Sequence, residues 1–535
     1  MDTKALRQKI LDLAIRGKLV PQDPNDEPAE VLLERIREQK QRMFKEGKLK
    51  KKDIKNDTII FKGEDNLHYE KFQDGTVKCI EKEIPFELPE GWAWTRVSPI
   101  VQICLGLTHT PKYVDKGVAF YSVKDISAGG LDTSNPKYIS EKEFDNFPNG
   151  AKPQKGDILF GRVGTLGKPT VIEIEEPFGI FVSLGFFRKI YAPISSKYIM
   201  NWMDSSLFWN QVSINVKGAV LTNLNTGWLS RFLIPIPPIN EQYRISDYLS
   251  ELVDRIDLIS STKEELYQLL SDTKSKILDL AIRGKLVSQD PNDEPASVLL
   301  ERIHAEKEEL ITQGKIKRDK KESIIFKGGD NSYYEKVNGE ISCIDEEIPY
   351  DIPDTWTWMR LENCCIKEIR RGKSPKYVEN SNILVFAQKC NTKYNGIDIS
   401  LSRYLDEAAL KRYPADEYMQ DGDIVINSTG TGTLGRVGFY RIFDNNTGLP
   451  IVPDSHVTII RSFSSIQSFY LYVFIKAYQS ELEKMGEGST NQKELKPLTL
   501  KEMLIAIPPL FEQKRINEVI EITFNHISAI EKSLS

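Results

Sequence analysis

The chain is written twice, and that repeat constrains its fold more than any other feature. Residues 10–36 read ILDLAIRGKLVPQDPNDEPAEVLLERI and residues 277–303 read ILDLAIRGKLVSQDPNDEPASVLLERI, identical at 25 of 27 positions. The correspondence continues in order: TIIFKGEDNLHYEK (58–71) with SIIFKGGDNSYYEK (323–336), and IPFELPEGWAW (84–94) with IPYDIPDTWTW (348–358). PKYV follows at 111–114 and 375–378, then KGDILF (155–160) with DGDIVI (421–426), GTLGK (164–168) with GTLGR (432–436), and IPPINEQYRI (236–245) with IPPLFEQKRI (507–516). Between these landmarks residues 98–150 and 362–415 share little beyond PKYV. A common frame with divergent inserts implies one task performed on two different targets.

Residues 241–283 carry a heptad. Ile245, Leu249, Leu252, Ile256, Ile259, Leu266, Leu270, Thr273, Ile277 and Leu280 alternate steps of four and three, with Lys263 as the interruption. That is a seam of the coiled-coil type. From Ile245 to Leu280 a helix rises about 52 Å at ~1.5 Å per residue. A second seam is split between the chain ends: Ile516, Ile520, Thr523, Ile527, Ile530 and Leu534 near the C-terminus, Leu6, Ile10 and Leu13 near the N-terminus. Aligned on the central helix, the C-terminal piece supplies the first half and the N-terminal piece the second, so the repeat is circular. Apolar stripes of this kind need cover from water. The expected fold class is α+β: two mixed α/β target-recognition domains separated by long antiparallel coiled-coil helices, in a circular pseudo-twofold internal repeat.

The expected boundaries are an N-terminal helical region (1–57), a connecting segment (58–84), a first recognition domain (85–240), a central helix with the helix after it (241–322), a second connecting segment (323–348), a second recognition domain (349–509) and a C-terminal helix (510–535). Helices are expected near 195–215 and 464–485, strands over 157–163 and 423–429, and helix starts near Pro28 and Pro295. The Lys/Glu-rich runs at 37–57 and 304–322 read as solvated helix followed by loop.

Composition bounds the chemistry. With 535 residues, a net charge of −5 and a pI near 5.9, the chain lacks the overall basic footprint of many nucleic-acid binders. Local basic runs do exist, the densest over residues 35–55. The six cysteines form no CxxC pair and the five histidines no HxxxH pattern, so no metal site is expected. GKS at 372–374 is not a phosphate loop, because Lys367 stands where its leading glycine belongs, and Arg162 fails GK at 167–168 in the same way. NPKY (135–138) lacks the second proline of an adenine-methyltransferase motif and has no glycine-rich loop upstream. The N-terminus has no apolar signal core and no run of 18 apolar residues occurs, so a cytoplasmic protein without membrane association is expected.

The most site-like places are the loops GRVGTLGKPT (161–170) and NSTGTGTLGRVG (427–438), which join strand-like runs and combine glycine, hydroxyl groups and a cation. Candidate DNA contacts in the first half are Thr108, His109, Lys112, Lys124, Arg162, Thr165, Lys168, Lys217 and Asn223. In the second they are Arg370, Arg371, Lys373, Lys376, Gln388, Lys389, Thr431, Thr433, Arg436, Asn491, Gln492 and Lys493. Arg and Lys suit guanine edges, Asn and Gln suit adenine.

Taken together, the doubled ILDLAIRGKLV…QDPNDEPA segments, the IP-x-x-(L/I)P-x-x-W-x-W approach, the GD…GTLG(K/R) loops and the PP-x-x-EQ-x-RI exits resemble the specificity subunits of type I restriction–modification enzymes over essentially the whole chain. The resemblance implies that each variable domain reads one half of an asymmetric bipartite site in double-stranded DNA. It implies helices that set the spacer and dock methyltransferase subunits, two of them, with separate restriction/translocase subunits. It further implies no catalytic residue and no cofactor in this chain, S-adenosylmethionine, ATP and Mg belonging to the partners. The rival reading is a coiled-coil adaptor with two protein-binding heads.

Overall fold

The computed structural model describes residues 2–127, 130–216, 223–318, 323–393, 396–430, 432–488 and 493–534. The chain forms two compact units, Met1–Lys263 and Glu264–Ser535. Each is built the same way, and the repeated motifs explain why.

The first unit begins with helix Thr3–Ile15, capped by Asp2, whose carboxylate accepts from the Lys4 and Ala5 backbone N–H groups. The helix stops at Gly17, which adopts a φ of +66°. A Cβ there would lie 2.4 Å from Pro89 Cγ, so the RG turn can seat on the LPEGW segment only as glycine. Gly284 repeats this at φ +66°, with Pro353 Cγ at 2.5 Å. Beyond the turn, Gln22 donates to Glu241 Oε1 (3.1 Å) and Trp92 Nε1 donates to Glu241 Oε2 (3.0 Å). In the second unit Gln289 and Trp356 donate to Glu512 at 2.6 and 3.0 Å. Arg244 pairs with Asp26 and Arg515 with Asp293, both at 2.5 Å. The QDPND segments thus bind the EQ-x-R exits in each unit. Burial pushes the Glu241 and Glu512 carboxyls up, against the pull of those hydrogen bonds.

Helices Ala29–Lys45 and Ala296–Thr312 follow, with Pro28 and Pro295 as their N-caps rather than first-turn residues. Their charged runs are not wholly solvated. Lys40 is buried and donates to Asp57 (2.8 Å) and to the Ser98 carbonyl (2.6 Å), and Lys307 is buried at the equivalent place. Burial pushes the Lys40 amine down, while Asp57 opposes it. The connecting segments hold three-stranded antiparallel meanders: Ile59–Lys62, His68–Lys71 and Val77–Cys79, and again Ser323–Lys327, Tyr333–Val337 and Glu340–Cys343.

The recognition segments are mixed α/β. Strand Ala93–Arg96 pairs antiparallel with Leu233–Ile236, and Thr357–Arg360 with Leu504–Ile507, closing each segment at its base. In the first unit one sheet runs Gly167–Val171, Ile158–Gly161, Leu184–Lys189, Val101–Leu105. A second runs Phe178–Ile180, Val118–Tyr121, Lys137–Ile139, Tyr113–Val114, with its first pair parallel. The second unit repeats the second sheet with four strands and the first with three. Val437–Phe439, Ile424–Asn427 and Val457–Ile460 form one sheet; Ile451–Pro453, Leu384–Phe386, Arg403–Leu405 and Tyr377–Val378 form the other. Helices Ser196–Asp204 and Ser206–Val216 cover the first sheet's apolar side, as Ser468–Ala477 and Gln479–Lys484 do in the second unit. Tyr198 and Tyr470 donate to the Pro235 and Ala506 carbonyls at 2.8 and 2.7 Å.

The heptad lies on helix Ile239–Ile282, and the C-terminal seam on Leu510–Leu534. Ile245, Leu249, Ile256, Leu270, Ile516, Ile520 and Ile527 are buried. Leu252, Leu266, Ile277 and Leu280 are half-buried, while Ile259 and Ile530 are each 43% exposed, so the seam is not covered along its full length. Arg7 pairs with Asp257 in the first unit, and Lys274 with Glu531 in the second. No helix among the described residues is long and apolar enough to cross a membrane.

Candidate nucleic-acid interface

Each recognition segment gathers its loops at one end of the sheet. In the first unit the loop after strand Ile158–Gly161 is held from two sides. The Arg162 and Val163 N–H groups donate to the Ser183 carbonyl (2.8 and 3.1 Å), and the Leu224 N–H donates to the Arg162 carbonyl (2.9 Å). Val163 bridges Asn223. The Val123 N–H donates to Ser183 Oγ (3.1 Å), which attaches the 3-10 turn Val123–Asp125 to the same cluster. Leu107 exchanges hydrogen bonds with Ile180 and Val182 at 2.8 and 2.9 Å, bringing in the segment that carries Thr108 and His109.

The second unit reproduces this wiring. The Ser428 N–H donates to the His456 carbonyl (2.8 Å), and the Leu495 N–H to the Ser428 carbonyl (2.9 Å). Thr429 bridges Glu494. Asn427 Nδ2 donates to the Gln388 carbonyl (3.1 Å), which ties in the 3-10 turn Gln388–Cys390. The matching backbone hydrogen bonds place Arg162 opposite Ser428 and Ser183 opposite His456. The Phe181 N–H donates to the Tyr121 carbonyl (2.9 Å) as the Asp454 N–H does to that of Phe386 (3.1 Å), which places the Val123–Asp125 turn opposite Gln388–Cys390.

The GD motif anchors the base of each loop. Asp157 accepts from the Gln154 N–H (2.9 Å) and from Arg188 (2.7 Å); Asp423 accepts from the Gln420 N–H (2.8 Å) and from Arg461 (2.7 Å). Burial pushes both carboxyls up, opposed by those arginines. Close backbone approach fixes the rest. A Cβ on Gly106 would lie 2.3 Å from the Phe181 carbonyl oxygen, and one on Gly372 would lie 2.2 Å from that of Asp454. We expect Gly106→Ala and Gly372→Ala to displace these loops at a cost of about 1–3 kcal/mol. Each should weaken DNA binding through its own unit, measured by titrating duplexes altered in one half-site at a time; equal weakening on both kinds of duplex would refute the assignment.

A family model described as the type I restriction modification DNA specificity domain matches residues 89–268 and 353–535. The chain belongs to this family. Among curated relatives, this specificity chain is 27% identical to the type I restriction enzyme EcoEI specificity subunit of Escherichia coli, over 99% of its own length and 90% of the relative's. It is 30% identical to the EcoAI specificity subunit of Escherichia coli, over 67% of its own length and 62% of the relative's. A solved structure from work on complex assembly and conformational transition of the type I R-M system shares the fold. Its TM-score is 0.54 at 17% identity, covering 84% of this chain and 94% of that one.

Within the specificity chain the candidate residues separate clearly. Lys124 and Lys389 sit on the equivalent 3-10 turns, both exposed and without an ion-pair partner among the described residues. Thr165, Lys168 and Asn223 are exposed on the first cluster, with Lys168 at φ +49°. Arg162 is half-buried and donates to the Val182 carbonyl (3.2 Å). Lys112 lies before strand Tyr113–Val114, with its backbone N–H on Glu143 (3.2 Å). In the second unit Gln388, Lys389, Thr433 and Lys493 belong to the cluster, as does Arg371, paired with Glu494 at 3.1 Å. Arg436 holds the loop itself, donating to the Asn391 and Gly432 carbonyls (2.8 and 3.0 Å). Arg370 and Lys373 face the buried Glu417 carboxylate (2.6 and 3.4 Å), and Lys376 pairs with Asp406 (2.7 Å). Each of these three cations has a carboxylate partner within the protein, and Lys376 remains largely exposed. Lys217, Thr431, Asn491 and Gln492 lie outside the described residues. Sequence reasoning missed His456, which no motif flags: it enters the cluster through the turn between strands Ile451–Pro453 and Val457–Ile460.

Proposed function

We propose that the chain is the non-catalytic address of a type I restriction–modification complex, each recognition segment (85–240 and 349–509) reading one half of an asymmetric bipartite site in double-stranded DNA. The observation that carries this reading is the duplicated loop cluster: one backbone wiring, built twice, carrying different side chains. Frames that share these hydrogen bonds deliver a shared orientation, and differing side chains deliver differing base preference.

The helices serve as an antiparallel coiled-coil spacer in a circular pseudo-twofold repeat, and as docking surface for two methyltransferase subunits. The Arg7–Asp257 and Lys274–Glu531 pairs support the antiparallel arrangement, because the N-terminal helix meets the first half of the long helix and the C-terminal helix its second half. S-adenosylmethionine, ATP and Mg are needs of the methyltransferase and restriction/translocase partners, and the complex works in the cytoplasm. The acidic balance fits a subunit whose partners supply part of the charge that neutralises phosphate.

The test is methylation mapping in cells that express the chain with its methyltransferase subunit, against cells lacking the chain. A bipartite motif with a fixed unspecified gap, seen only with the chain, is the expected result. Chain-independent methylation, or none from a complex verified to assemble, would overturn the reading and leave an adaptor role.

A further inference from the structure

The two clusters can be compared position by position, because their backbone hydrogen bonds match. Some positions carry the same chemistry in both. Lys124 and Lys389 share one turn position, and Thr165 and Thr433 share the GTLG loop. Others differ outright: Val123 stands where the second unit has Gln388, Ser183 where it has His456, and Arg162 where it has Ser428. A contact that serves both half-sites is made to what all DNA has in common, its phosphates. A contact that distinguishes them falls at the positions that differ.

In the second unit two differing side chains are held in place and still have hydrogen-bonding capacity left over. His456 Nδ1 shares a hydrogen bond of 2.6 Å with the Thr429 hydroxyl, and its backbone N–H donates to Asp454 Oδ1 (2.8 Å). This fixes the ring, and Nε2 has no protein partner among the described residues. Gln388 Oε1 lies 3.4 Å from the Thr433 hydroxyl, whose one proton it shares with the Thr429 carbonyl at 3.2 Å, and its Nε2 donates to no acceptor among the described residues. Gly430, at φ +104°, makes room for that amide: a Cβ there would lie 2.6 Å from Gln388 Oε1. Both side chains contact the loop at the centre of the cluster, His456 at Thr429 and Gln388 at Thr433. A hydrogen-bonded imidazole and a neighbouring amide, each with an open edge, are suited to the donor and acceptor pattern of base edges in the major groove, where a glutamine amide pairs with adenine.

We propose that Gln388 and His456 are specificity-determining residues for the half-site read by the second unit, and that Lys124 in the first unit and Lys389 in the second are sequence-independent phosphate anchors, each for its own unit. The proposal rests on the DNA-addressing reading above. Gln388 recognises an adenine edge. His456 recognises a neighbouring base through Nε2.

The experiment is methylation mapping of the full chain with its methyltransferase subunit, comparing wild type with Gln388→Ala, His456→Ala, Gly430→Ala and Lys389→Ala. Gln388→Ala and His456→Ala should each relax one position of the same half-site and leave the other half-site intact, a change of roughly 5–150-fold in discrimination at that base. Gly430→Ala, which displaces the Gln388 amide, should relax the position that Gln388→Ala relaxes. Lys389→Ala should lower occupancy of all sites, leave the motif unchanged and reduce the salt slope of DNA binding by about 1. An unchanged motif in both Gln388→Ala and His456→Ala, or a change in the other half-site, overturns the proposal while the addressing reading stands. If the alanine variants methylate nothing, Gln388→Asn and His456→Gln take their place, and an unchanged motif in those overturns it equally. A wild-type chain that directs no bipartite motif defeats the addressing reading itself, before any variant is compared.

Discussion

Replacing residues 98–235 with the corresponding segment of a relative that reads another sequence will exchange one half of the DNA motif and leave the other half unchanged. The first cluster lies wholly inside this segment: Thr108, Lys124, Arg162, Ser183 and Asn223 travel together with the strands that hold them. The apolar core crosses the cut, with Trp92 edge-on to Tyr198 and Ile15, Leu32 and Leu249 in the same cluster as Trp202, so the donor segment must keep its apolar positions there. The hydrogen bonds that cross it mostly engage backbone atoms of the exchanged segment, which any side chain supplies. Ser206 N–H donates to Asp12 (3.1 Å), Ser195 N–H to Gln242 (3.0 Å), Lys40 to the Ser98 carbonyl and Arg96 to the Arg231 carbonyl. The base of the segment closes through main-chain pairing of Ala93–Arg96 with Leu233–Ile236. The frame should therefore accept the exchange. Each mismatched base pair costs about 1–3 kcal/mol, so two mismatches in the parental half-site lower its occupancy by a factor on the order of 10 to 10⁴. Methylation mapping of the exchanged chain reads this directly. A motif altered in both halves would mean that the two segments do not read independently.

Much of the architecture was legible in the sequence because the repeat marks positions that the fold uses. The glycine of RGK, the tryptophan of W-x-W, the QDPND segment and the EQ-x-R exit have no evident reason to recur singly. In the structure they meet: Gly17 seats on Pro89 and Trp92, and Gln22 and Trp92 converge on Glu241. Heptad spacing located the long helix, and the strand-turn pattern located the loops at 161–170 and 427–438. Other features were not legible. The meanders at 59–79 and 323–343 were read only as connecting segments, since each strand is three to five residues long and too short for alternation to declare itself. Cations are candidates for DNA contact in the sequence without any sign of which carboxylates meet them. The fold brings Glu417 beside Arg370 and Lys373, and Asp406 beside Lys376, pairings that sequence spacing does not announce. His456 was invisible for the converse reason: it joins its cluster through a hydrogen bond 27 residues back along the chain, at Thr429.

Arg96→Met will destabilise the first unit by about 3–5 kcal/mol, because it strands a buried charge. Arg96 is nearly inaccessible and donates to both oxygens of Glu70 (3.1 and 2.7 Å) and to Glu83 (2.7 Å). Glu70 is itself buried, its only other partner among the described residues being the Thr58 hydroxyl at 2.6 Å. The network fastens the meander to the strand that opens the recognition segment, and Arg360 with Glu335 and Glu347 repeats it in the second unit. Chemical denaturation followed by hydrogen exchange should show the loss confined to the first unit for Arg96→Met and to the second for Arg360→Met. Arg96→Met combined with Glu70→Leu should recover most of the loss, since no unpaired charge remains, and the double-mutant cycle gives the coupling. The acid dependence supplies an independent check. Burial pushes the Glu70 and Glu83 carboxyls up, but hydrogen bonds from Arg96, joined by Thr58 at Glu70 and by Lys78 at Glu83, together with the nearby positive charge hold both below the usual range. For Glu335 the hydrogen bond from Arg360 is the dominant influence, with the same outcome. A carboxylate held low in the folded state adds stability that is present above its unfolded pKa and is lost as pH falls through the folded one. The wild-type chain should accordingly lose stability on acidification through the carboxylate range. In Arg96→Met, burial acts on Glu70 unopposed by the guanidinium, so acidification neutralises a stranded charge and the first unit's deficit narrows as the pH falls. A deficit that stays constant from neutral to acid pH would show that Arg96 contributes packing and not charge.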